Sequence, residues 1–221
     1  MRLFLDTADI DEIREINRWG VLSGVTTNPS LIAKQGQDPD MIWKEILETV
    51  PGDISLETTE AEAEAMYEQG VGLSQKAPNA VVKVPMTPDG LAAGKRLTDE
   101  GIRVNVTLVF SPAQAILAAE IGAYIVSPFL GRIDDVASDG MHALRQICEI
   151  YRTQGYETQV LAASLRHPMH VVESAQAGAH IATMPFDVFG KLVKHPLTDL
   201  GLERFLSDWQ GLLDKLGKEG D

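Results

Sequence analysis

The sequence contains one cysteine, Cys148, and so cannot form a disulfide within the chain. It also has few basic residues, 19 against 32 acidic ones, which gives a formal net charge of −13. A chain this acidic repels nucleic acid and anionic membranes, so any phosphate must be bound at a local positive site. No apolar run approaches the length of a membrane span, and no charged-then-apolar signal peptide opens the chain. We therefore expect a protein of the reducing cytoplasm with no nucleic-acid or membrane partner.

The sequence also lacks the glycine-rich phosphate motifs GxGxxG and GxxxxGK[ST]. It has instead eight short apolar runs, each followed by a turn and a helical pattern. Such alternation indicates an α/β protein with a parallel sheet, and eight units within 221 residues favour one (β/α)8 TIM barrel over residues 1–221. A doubly wound open sheet is the alternative, but it usually has fewer strands, and its best-known form brings a glycine-rich loop.

A ninth element follows the eight units. Residues 198–216 carry Phe205, Trp209, Leu212 and Leu216 at helical spacing, which predicts an additional amphipathic C-terminal helix. Eight helices already cover a closed barrel, so this apolar stripe needs another surface. Without one, the stripe would stay exposed to solvent. One such surface is the open end of its own barrel, over which the helix would fold back.

A lysine interrupts one of the most apolar predicted strands, AVVKVP, at residues 80–85. A strand that is apolar on both faces has no solvent-exposed face for an ammonium group. Lys83 therefore either reaches past its neighbours to solvent or is held in the interior. Inside a barrel the ammonium form is desolvated, which lowers the pKa of a lysine. A neutral amine can attack a carbonyl carbon and form a Schiff base, whose protonated imine draws electrons from the adjacent carbon–carbon bond. This chemistry requires no metal and no cofactor.

Other polar residues lie at the ends of predicted strands, where a TIM barrel builds its active site. Asp6 and Glu57 provide the carboxylates from which a general base would come. Alone, Asp6 is an ordinary turn cap; the joint occurrence of polar residues at corresponding positions is what favours a site for a small polar substrate. Asn105 and Thr107 are two residues apart, so their side chains point to the same side of their strand. The remaining strand-end candidates are Thr26, Asn28, Ser127 and Ser164.

Two arginines are candidates for a phosphate site. Arg132 and Arg166 would ordinarily be interpreted as surface charges. One follows the sixth predicted strand, however, and the other follows the seventh beside Ser164. A planar guanidinium matches phosphate oxygens, so the pair could provide the local positive site that this acidic chain needs.

His167 and His170 are three residues apart and could suggest a metal pair. No carboxylate lies near them at ligand spacing, and no third histidine is close by. We therefore expect a structural or solvent-facing role for these histidines, and no metal site.

Several motifs in a fixed order carry a resemblance to a known family. They are LDTAD (5–9), GVTTNPSLI (24–32), VVKVPMT (81–87), NVTLVFS (105–111), SPFLGRIDD (127–135) and LAASLR (161–166). They resemble the small-subunit transaldolases and the related fructose 6-phosphate aldolases, and the resemblance continues through HPLTDLGLERFLSDW (195–209).

The resemblance implies a (β/α)8 barrel with a class I, Schiff-base mechanism. A ketose phosphate, sedoheptulose 7-phosphate or fructose 6-phosphate, would be cleaved, and its dihydroxyacetone unit would be held on a lysine. The unit would pass to an aldose phosphate, erythrose 4-phosphate or glyceraldehyde 3-phosphate, in the non-oxidative pentose phosphate pathway. The partners implied are thus small sugar phosphates.

The resemblance also implies a role for each candidate residue. Lys83 would form the Schiff base, and Asp6 would be the base that drives carbon–carbon cleavage. Glu57 and Thr107 would position the water that shuttles protons during imine formation. The dihydroxyacetone hydroxyls would be held by Asn28, Asn105 and Ser127, and the sugar phosphate by Arg132, Ser164 and Arg166, with Thr26 and Phe129 as further substrate-site residues.

Two positions distinguish the transaldolases from the related fructose 6-phosphate aldolases. The aldolases carry glutamine where this chain has Glu57 and tyrosine where it has Phe129, so both positions match the transaldolases. A glutamate can act as a base toward water, whereas a glutamine cannot. We therefore expect a transferase, with an aldolase that releases free dihydroxyacetone as the alternative. A non-catalytic sugar-phosphate-binding barrel is a third hypothesis, against which Lys83 and the two carboxylates argue.

The resemblance finally implies an assembly. Related small transaldolases form five-membered rings that stack in pairs, with the C-terminal helix laid across a neighbouring subunit. We therefore expect a homo-oligomer of pentameric rings, paired into a decamer.

Overall fold

A computed structural model describes residues 1–218 of the chain, with side chains described through residue 216. The chain divides into two compact units. One runs from Met1 to Phe189 and contains the barrel, and the other begins at Gly190.

Eight parallel strands form the barrel. Each strand pairs with the next one along the chain, and the eighth pairs with the first, so the sheet closes on itself. Closure leaves no strand edge unpaired within this sheet and excludes the open-sheet alternative. The strands are β1 (Arg2–Asp6), β2 (Leu22–Thr26), β3 (Asp53–Glu57), β4 (Ala80–Pro85), β5 (Val104–Val109), β6 (Ile125–Pro128), β7 (Gln159–Ala162) and β8 (Ile181–Met184).

Helices alternate with the strands, which confirms the predicted (β/α)8 barrel. Many of these helices begin with a polar cap followed by proline, as at Asn28, Thr87 and Ser111, where the side chain accepts a backbone N–H of the first turn. The helices are α1 (Ile10–Arg18), α2 (Pro29–Gln35), α3 (Pro39–Thr49), α4 (Ala63–Ser74), α5 (Pro88–Asp99), α6 (Pro112–Glu120), α7 (Leu130–Asp134), α8 (Gly140–Gln154), α9 (Pro168–Ala177), α10 (Phe186–Lys191) and α11 (Pro196–Lys218).

An ionic network crosses the barrel at the amino ends of the strands. Asp53 at the start of β3 accepts hydrogen bonds from Arg2 at 2.6 Å, from Arg103, and from the Tyr124 hydroxyl at 3.0 Å. Arg2 also donates to Gln159 at the start of β7, at 2.7 Å. The two guanidinium groups lower the pKa of Asp53 against the effect of its burial, so this carboxylate stays ionised beneath the apolar interior.

The C-terminal unit contains the predicted amphipathic helix. Helix α11 spans Pro196–Lys218, two residues longer at each end than the pattern predicts. Its large apolar side chains are exposed, with Phe205 at 71% and Trp209 at 60% of full exposure. Within the described residues, every helix is either too short or too polar to cross a membrane.

Candidate active site

Strand register brings the predicted site residues together at the carboxyl end of the barrel. Glu57 of β3 pairs with Lys83 of β4, which pairs in turn with Asn105 of β5. Next to β3, Thr26 of β2 pairs with Asp6 of β1. Polar side chains from these strands therefore face one another above the apolar interior.

Lys83 is held in the interior and does not reach past its neighbours to solvent. The residue is only 4% exposed. Its Nζ lies 2.9 Å from Glu57 Oε2 and donates to the backbone carbonyl of Thr27 at 3.0 Å. Both partners accept hydrogen bonds from the amine, and Glu57 is the neighbour that can accept its proton.

Asp6 lies across the same space from Lys83. Its Oδ1 accepts the Thr26 hydroxyl at 2.7 Å, and the Thr26 oxygen is itself 2.7 Å from the Thr183 hydroxyl. Burial raises the pKa of the Asp6 carboxyl, while the positive charge of Lys83 and the Thr26 hydrogen bond act in the opposite direction. A raised pKa brings a carboxylate closer to the strength expected of a general base at neutral pH.

A row of buried polar groups extends from β3 to β6. The Asn105 amide donates to Ser55 Oγ at 3.0 Å, and Ser127 donates to Asn105 Oδ1 at 2.7 Å. These bonds fix the orientation of the Asn105 amide. Thr107 Oγ1, farther along β5, is buried and has no hydrogen-bond partner among the described residues. A buried hydroxyl without a protein partner is available to a small polar molecule.

A cavity of about 140 Å³ opens between these groups. Eight of the predicted site residues line it, namely Asp6, Thr26, Asn28, Lys83, Ser127, Phe129, Arg132 and Ser164. Asn105, Thr107, Glu57 and Arg166 do not line it. Glu57 instead reaches Lys83 from beside a second, more apolar cavity of about 210 Å³ that includes Trp43. Asn28 lines both cavities, with its Oδ1 capping α2 through the Leu31 N–H at 2.9 Å.

The side chains of Arg132 and Arg166 both approach the carboxylate of Asp135, which was not among the predicted site residues. Arg166 Nη2 lies 2.8 Å from Asp135 Oδ2, and Arg132 Nη1 lies 3.9 Å from the same oxygen. Both guanidinium groups are substantially exposed, so these ion pairs are weak. The arrangement shows that the two side chains can share one anion.

The two segments that carry these arginines, helix α7 and the residues between β7 and α9, contact each other through their backbones. The Gly131 N–H donates to the Ser164 carbonyl at 3.0 Å, and a Cβ at position 131 would lie 2.3 Å from that oxygen. Ser164 itself has φ +58°, a left-handed conformation that is uncommon outside glycine. The absence of a side chain at Gly131 thus permits the close approach of the loops after β6 and β7.

His170 supports the second of these loops. It is 7% exposed, its Nδ1 accepts the Arg166 backbone N–H at 3.3 Å, and its Nε2 lies 3.3 Å from Asp134 Oδ2. Burial, together with His167 and Arg166, lowers the pKa of His170 against the opposing charges of Asp134 and Glu173. The expected structural role fits this residue; His167 caps α9 by accepting the His170 N–H.

Sequence reasoning missed Thr183, Thr27 and Ser55 as well as Asp135. A signal existed for Thr183, a polar residue in the middle of the apolar run IATM. It is the same kind of signal that identified Lys83. None existed for Thr27, whose contact with Lys83 is made by a backbone carbonyl.

Known proteins are similar to this chain over nearly its whole length. A family model described as transaldolase/fructose-6-phosphate aldolase matches residues 3–216. A protein of Heliobacterium modesticaldum named probable transaldolase is 55% identical over 97% of this chain and 100% of its own length. One of Bacillus anthracis named probable transaldolase 1 is 55% identical with the same coverage, and a probable transaldolase of Aquifex aeolicus is 54% identical over 97% of this chain and 99% of its own. The chain therefore belongs to the transaldolase/fructose-6-phosphate aldolase family.

Proposed function

We propose that the protein is a transaldolase that works through a Schiff base on Lys83. The donor is a ketose phosphate, sedoheptulose 7-phosphate or fructose 6-phosphate. The acceptor is an aldose phosphate, erythrose 4-phosphate or glyceraldehyde 3-phosphate, as in the non-oxidative pentose phosphate pathway. The observation that carries the proposal is the position of Lys83, which lines the cavity while its Nζ lies 2.9 Å from Glu57 Oε2.

Imine formation begins with a proton transfer from Lys83. Glu57 takes the ammonium proton, and the neutral amine attacks the C2 carbonyl carbon of the donor. The resulting carbinolamine loses its hydroxyl as water when a proton is returned to it, which leaves a protonated imine. A water held by Glu57 and the unpartnered Thr107 hydroxyl shuttles these protons.

Carbon–carbon cleavage requires a base on the other side of the substrate. Asp6 removes the proton of the C4 hydroxyl, the C3–C4 bond breaks, and its electron pair moves onto the imine nitrogen to give an enamine. The aldose phosphate leaves. An acceptor aldehyde then bonds to the enamine carbon while its oxygen takes the proton from Asp6, and hydrolysis of the new imine frees the product ketose.

The remaining polar residues hold the substrate. Asn28, Asn105 and Ser127 bind the hydroxyls of the dihydroxyacetone unit. The orientation of Asn105 is supported by its bonds to Ser55 and Ser127. Arg132, Ser164 and Arg166 bind the phosphate, which replaces the Asp135 carboxylate between the two guanidinium groups.

Glu57 supports transfer rather than simple aldol cleavage. A carboxylate beside Nζ can accept the ammonium proton, whereas a glutamine at this position could only donate or accept a hydrogen bond. The relatives in the comparison are also named as transaldolases.

We further infer that the protein is a cytoplasmic homo-oligomer of paired pentameric rings. The exposed apolar side chains of α11 support an interface with another copy. The single cysteine, Cys148, supports a reducing compartment.

A coupled assay tests the proposed activity. The protein is given fructose 6-phosphate with or without erythrose 4-phosphate, and both glyceraldehyde 3-phosphate and free dihydroxyacetone are measured. We expect glyceraldehyde 3-phosphate to form rapidly only when the acceptor is present. Equal rates with and without the acceptor, accompanied by free dihydroxyacetone, would identify an aldolase. No product under either condition, and no imine trapped by borohydride, would identify a non-catalytic barrel.

A further inference from the structure

Three side chains form a continuous chain of hydrogen bonds beside the cavity. Thr183 Oγ1 of β8 lies 2.7 Å from Thr26 Oγ1 of β2, which lies 2.7 Å from Asp6 Oδ1 of β1. Thr183 is 2% exposed and Thr26 is 3% exposed. Both distances are typical of well-formed hydroxyl hydrogen bonds.

The direction of this chain follows from the number of protons. An ionised Asp6 can only accept, so the single hydroxyl proton of Thr26 must point toward it. The Thr26 oxygen can then only accept from Thr183, which must donate. The chain therefore runs from Thr183 through Thr26 to Asp6, and each bond polarises the next one.

We propose that Thr183 is a positioning residue that, through Thr26, holds Asp6 ionised and leaves its second oxygen, Oδ2, to take the proton from the substrate hydroxyl. This inference rests on the proposed function, in which Asp6 is the base. Thr183 lines the same cavity as Asp6, and the role proposed for it is to set the state of the group that takes the proton.

The surroundings of Asp6 make such support necessary. Burial favours the neutral carboxylic acid, and the charge of Lys83 is the opposing influence from across the cavity. Lys83 is itself paired with Glu57 at 2.9 Å, and Arg132 is a further cation on the cavity wall. The neighbouring strand β8 contributes no ionisable group over Ile181–Met184, so the hydroxyl chain is its contribution to the charge on Asp6.

A simpler interpretation is that two buried hydroxyls merely satisfy each other in the barrel wall. The interpretations differ in what happens when the Thr183 hydroxyl is removed without changing the shape of the side chain. A wall residue would affect stability alone. A residue that supports Asp6 would also change the pH at which the enzyme gains activity.

The experiment compares Thr183→Val with Thr183→Ser and a matched control, Thr158→Val. Thr158 is also a buried threonine, but it lies just before β7 at the opposite end of the barrel. Transfer from fructose 6-phosphate to erythrose 4-phosphate is measured from about pH 5 to about pH 9, with kcat and KM separated.

We expect Thr183→Val to lower kcat at neutral pH by roughly three- to tenfold, as for loss of one buried hydrogen bond, with little change in KM. Loss of a bond that favours the carboxylate raises the pKa of Asp6, so the acidic limb of the pH profile should move to higher pH. Thr183→Ser should restore both values, and Thr158→Val should leave both unchanged.

The inference is overturned if Thr183→Val keeps the acidic limb and kcat of the unchanged protein, or if Thr183→Ser is as defective as Thr183→Val. Should the valine variant fail to fold, Thr183→Ala gives the same readout against Thr183→Ser. Asp6→Asn separates this failure from a failure of the proposed function. If that variant retains full transfer, Asp6 is not the base, and the assignment of the base is what has failed.

Discussion

Lys83 Nζ lies 2.9 Å from Glu57 Oε2 although Lys83 is only 4% exposed, so an amine and a carboxyl group are paired in the barrel wall, largely out of contact with water. Desolvating such a pair is costly, and a well-packed apolar pair would serve the fold at least as well. The pair is therefore best explained by chemistry that needs an amine and a nearby proton acceptor.

The first prediction concerns this amine. Incubation with fructose 6-phosphate and sodium borohydride should reduce an imine to a stable dihydroxyacetone adduct on Lys83, detected by peptide mass spectrometry. Exposed Lys95 lacks the apolar surroundings and serves as an internal control. Lys83→Met should abolish both the adduct and transfer. An adduct mapped to Lys95 or Lys191 would contradict the Schiff-base assignment.

The second prediction concerns the choice between transfer and cleavage. Glu57→Gln combined with Phe129→Tyr should weaken transfer and increase the release of free dihydroxyacetone, because glutamine and tyrosine are the residues that the related aldolases carry at these two positions. The ratio of dihydroxyacetone to transferred product measures the change. Phe129→Leu keeps the position apolar and controls for altered packing against Phe110, which contacts Phe129 edge-on. A double variant with an unchanged ratio would show that these two positions do not set the reaction.

The third prediction concerns phosphate binding. Arg132→Ala should raise KM for phosphorylated sugars about tenfold or more, because a charge-assisted hydrogen bond contributes about 1.5–3 kcal/mol. The effect on free dihydroxyacetone as donor should be much smaller. Arg145→Ala removes another exposed arginine, paired with Asp139, and should change neither value. Equal losses with phosphorylated and unphosphorylated substrates would indicate that Arg132 is structural.

The fourth prediction concerns assembly through α11. Light scattering should give a mass five or ten times the 24.1 kDa of one chain. Deleting the residues after Thr198, or replacing Phe205 and Trp209 together with aspartate, should reduce it to that of the monomer. Glu203→Ala on the same helix should leave the assembly intact. A monomer-sized mass for the unchanged protein would refute the ring.

The fifth prediction concerns stability and pH. The pKa of Asp6 is raised above its ordinary value of 3.8, chiefly by burial, so the folded state favours the protonated carboxyl. Stability from this group is present at low pH and is lost as the pH rises from the unfolded pKa through the raised folded one. Asp6→Asn should therefore unfold at a higher temperature than the unchanged protein at neutral pH while losing transfer activity.

This fifth experiment carries its own control. The difference in melting temperature should shrink as the pH falls toward the unfolded pKa, since the unchanged protein then also carries a neutral group. Asp214→Asn, on the exposed face of α11, should show no such trend. A lower melting temperature for Asp6→Asn at neutral pH would mean that the attraction to Lys83 outweighs burial.

Much of the fold could be predicted because the barrel repeats one simple pattern eight times. Apolar runs such as the one around Val82 can be buried only in a sheet covered on both faces, and their alternation with helices fixes a parallel order. The ends of α11 were less predictable, because the two residues that extend the helix at each end, 196–197 and 217–218, carry no part of the apolar stripe.

The site was predictable where a polar side chain interrupts or ends an apolar strand, as Lys83 and Asp6 do. It was not predictable where a contact uses the backbone, as at Thr27, since every residue has a carbonyl. The contact of Asp135 with the two arginines could not be predicted either, because an acidic residue in a charged segment is normally solvated. Only the folded loops show that it lies between Arg132 and Arg166.

The network around Asp53 also links strands that are not neighbours in the sheet. Arg2, Asp53 and Gln159 begin β1, β3 and β7, and Arg103 directly precedes β5, so the contacts run across the end of the barrel and not along its circumference. Backbone hydrogen bonds join each strand only to its neighbours in the sheet. Loss of the bonds between any one pair of neighbouring strands would therefore open the barrel. The side-chain bonds around Asp53 connect strands that share no ladder, so this end of the barrel has connections that do not depend on the pairing of neighbouring strands, whereas the polar residues at the opposite end are left for substrate chemistry.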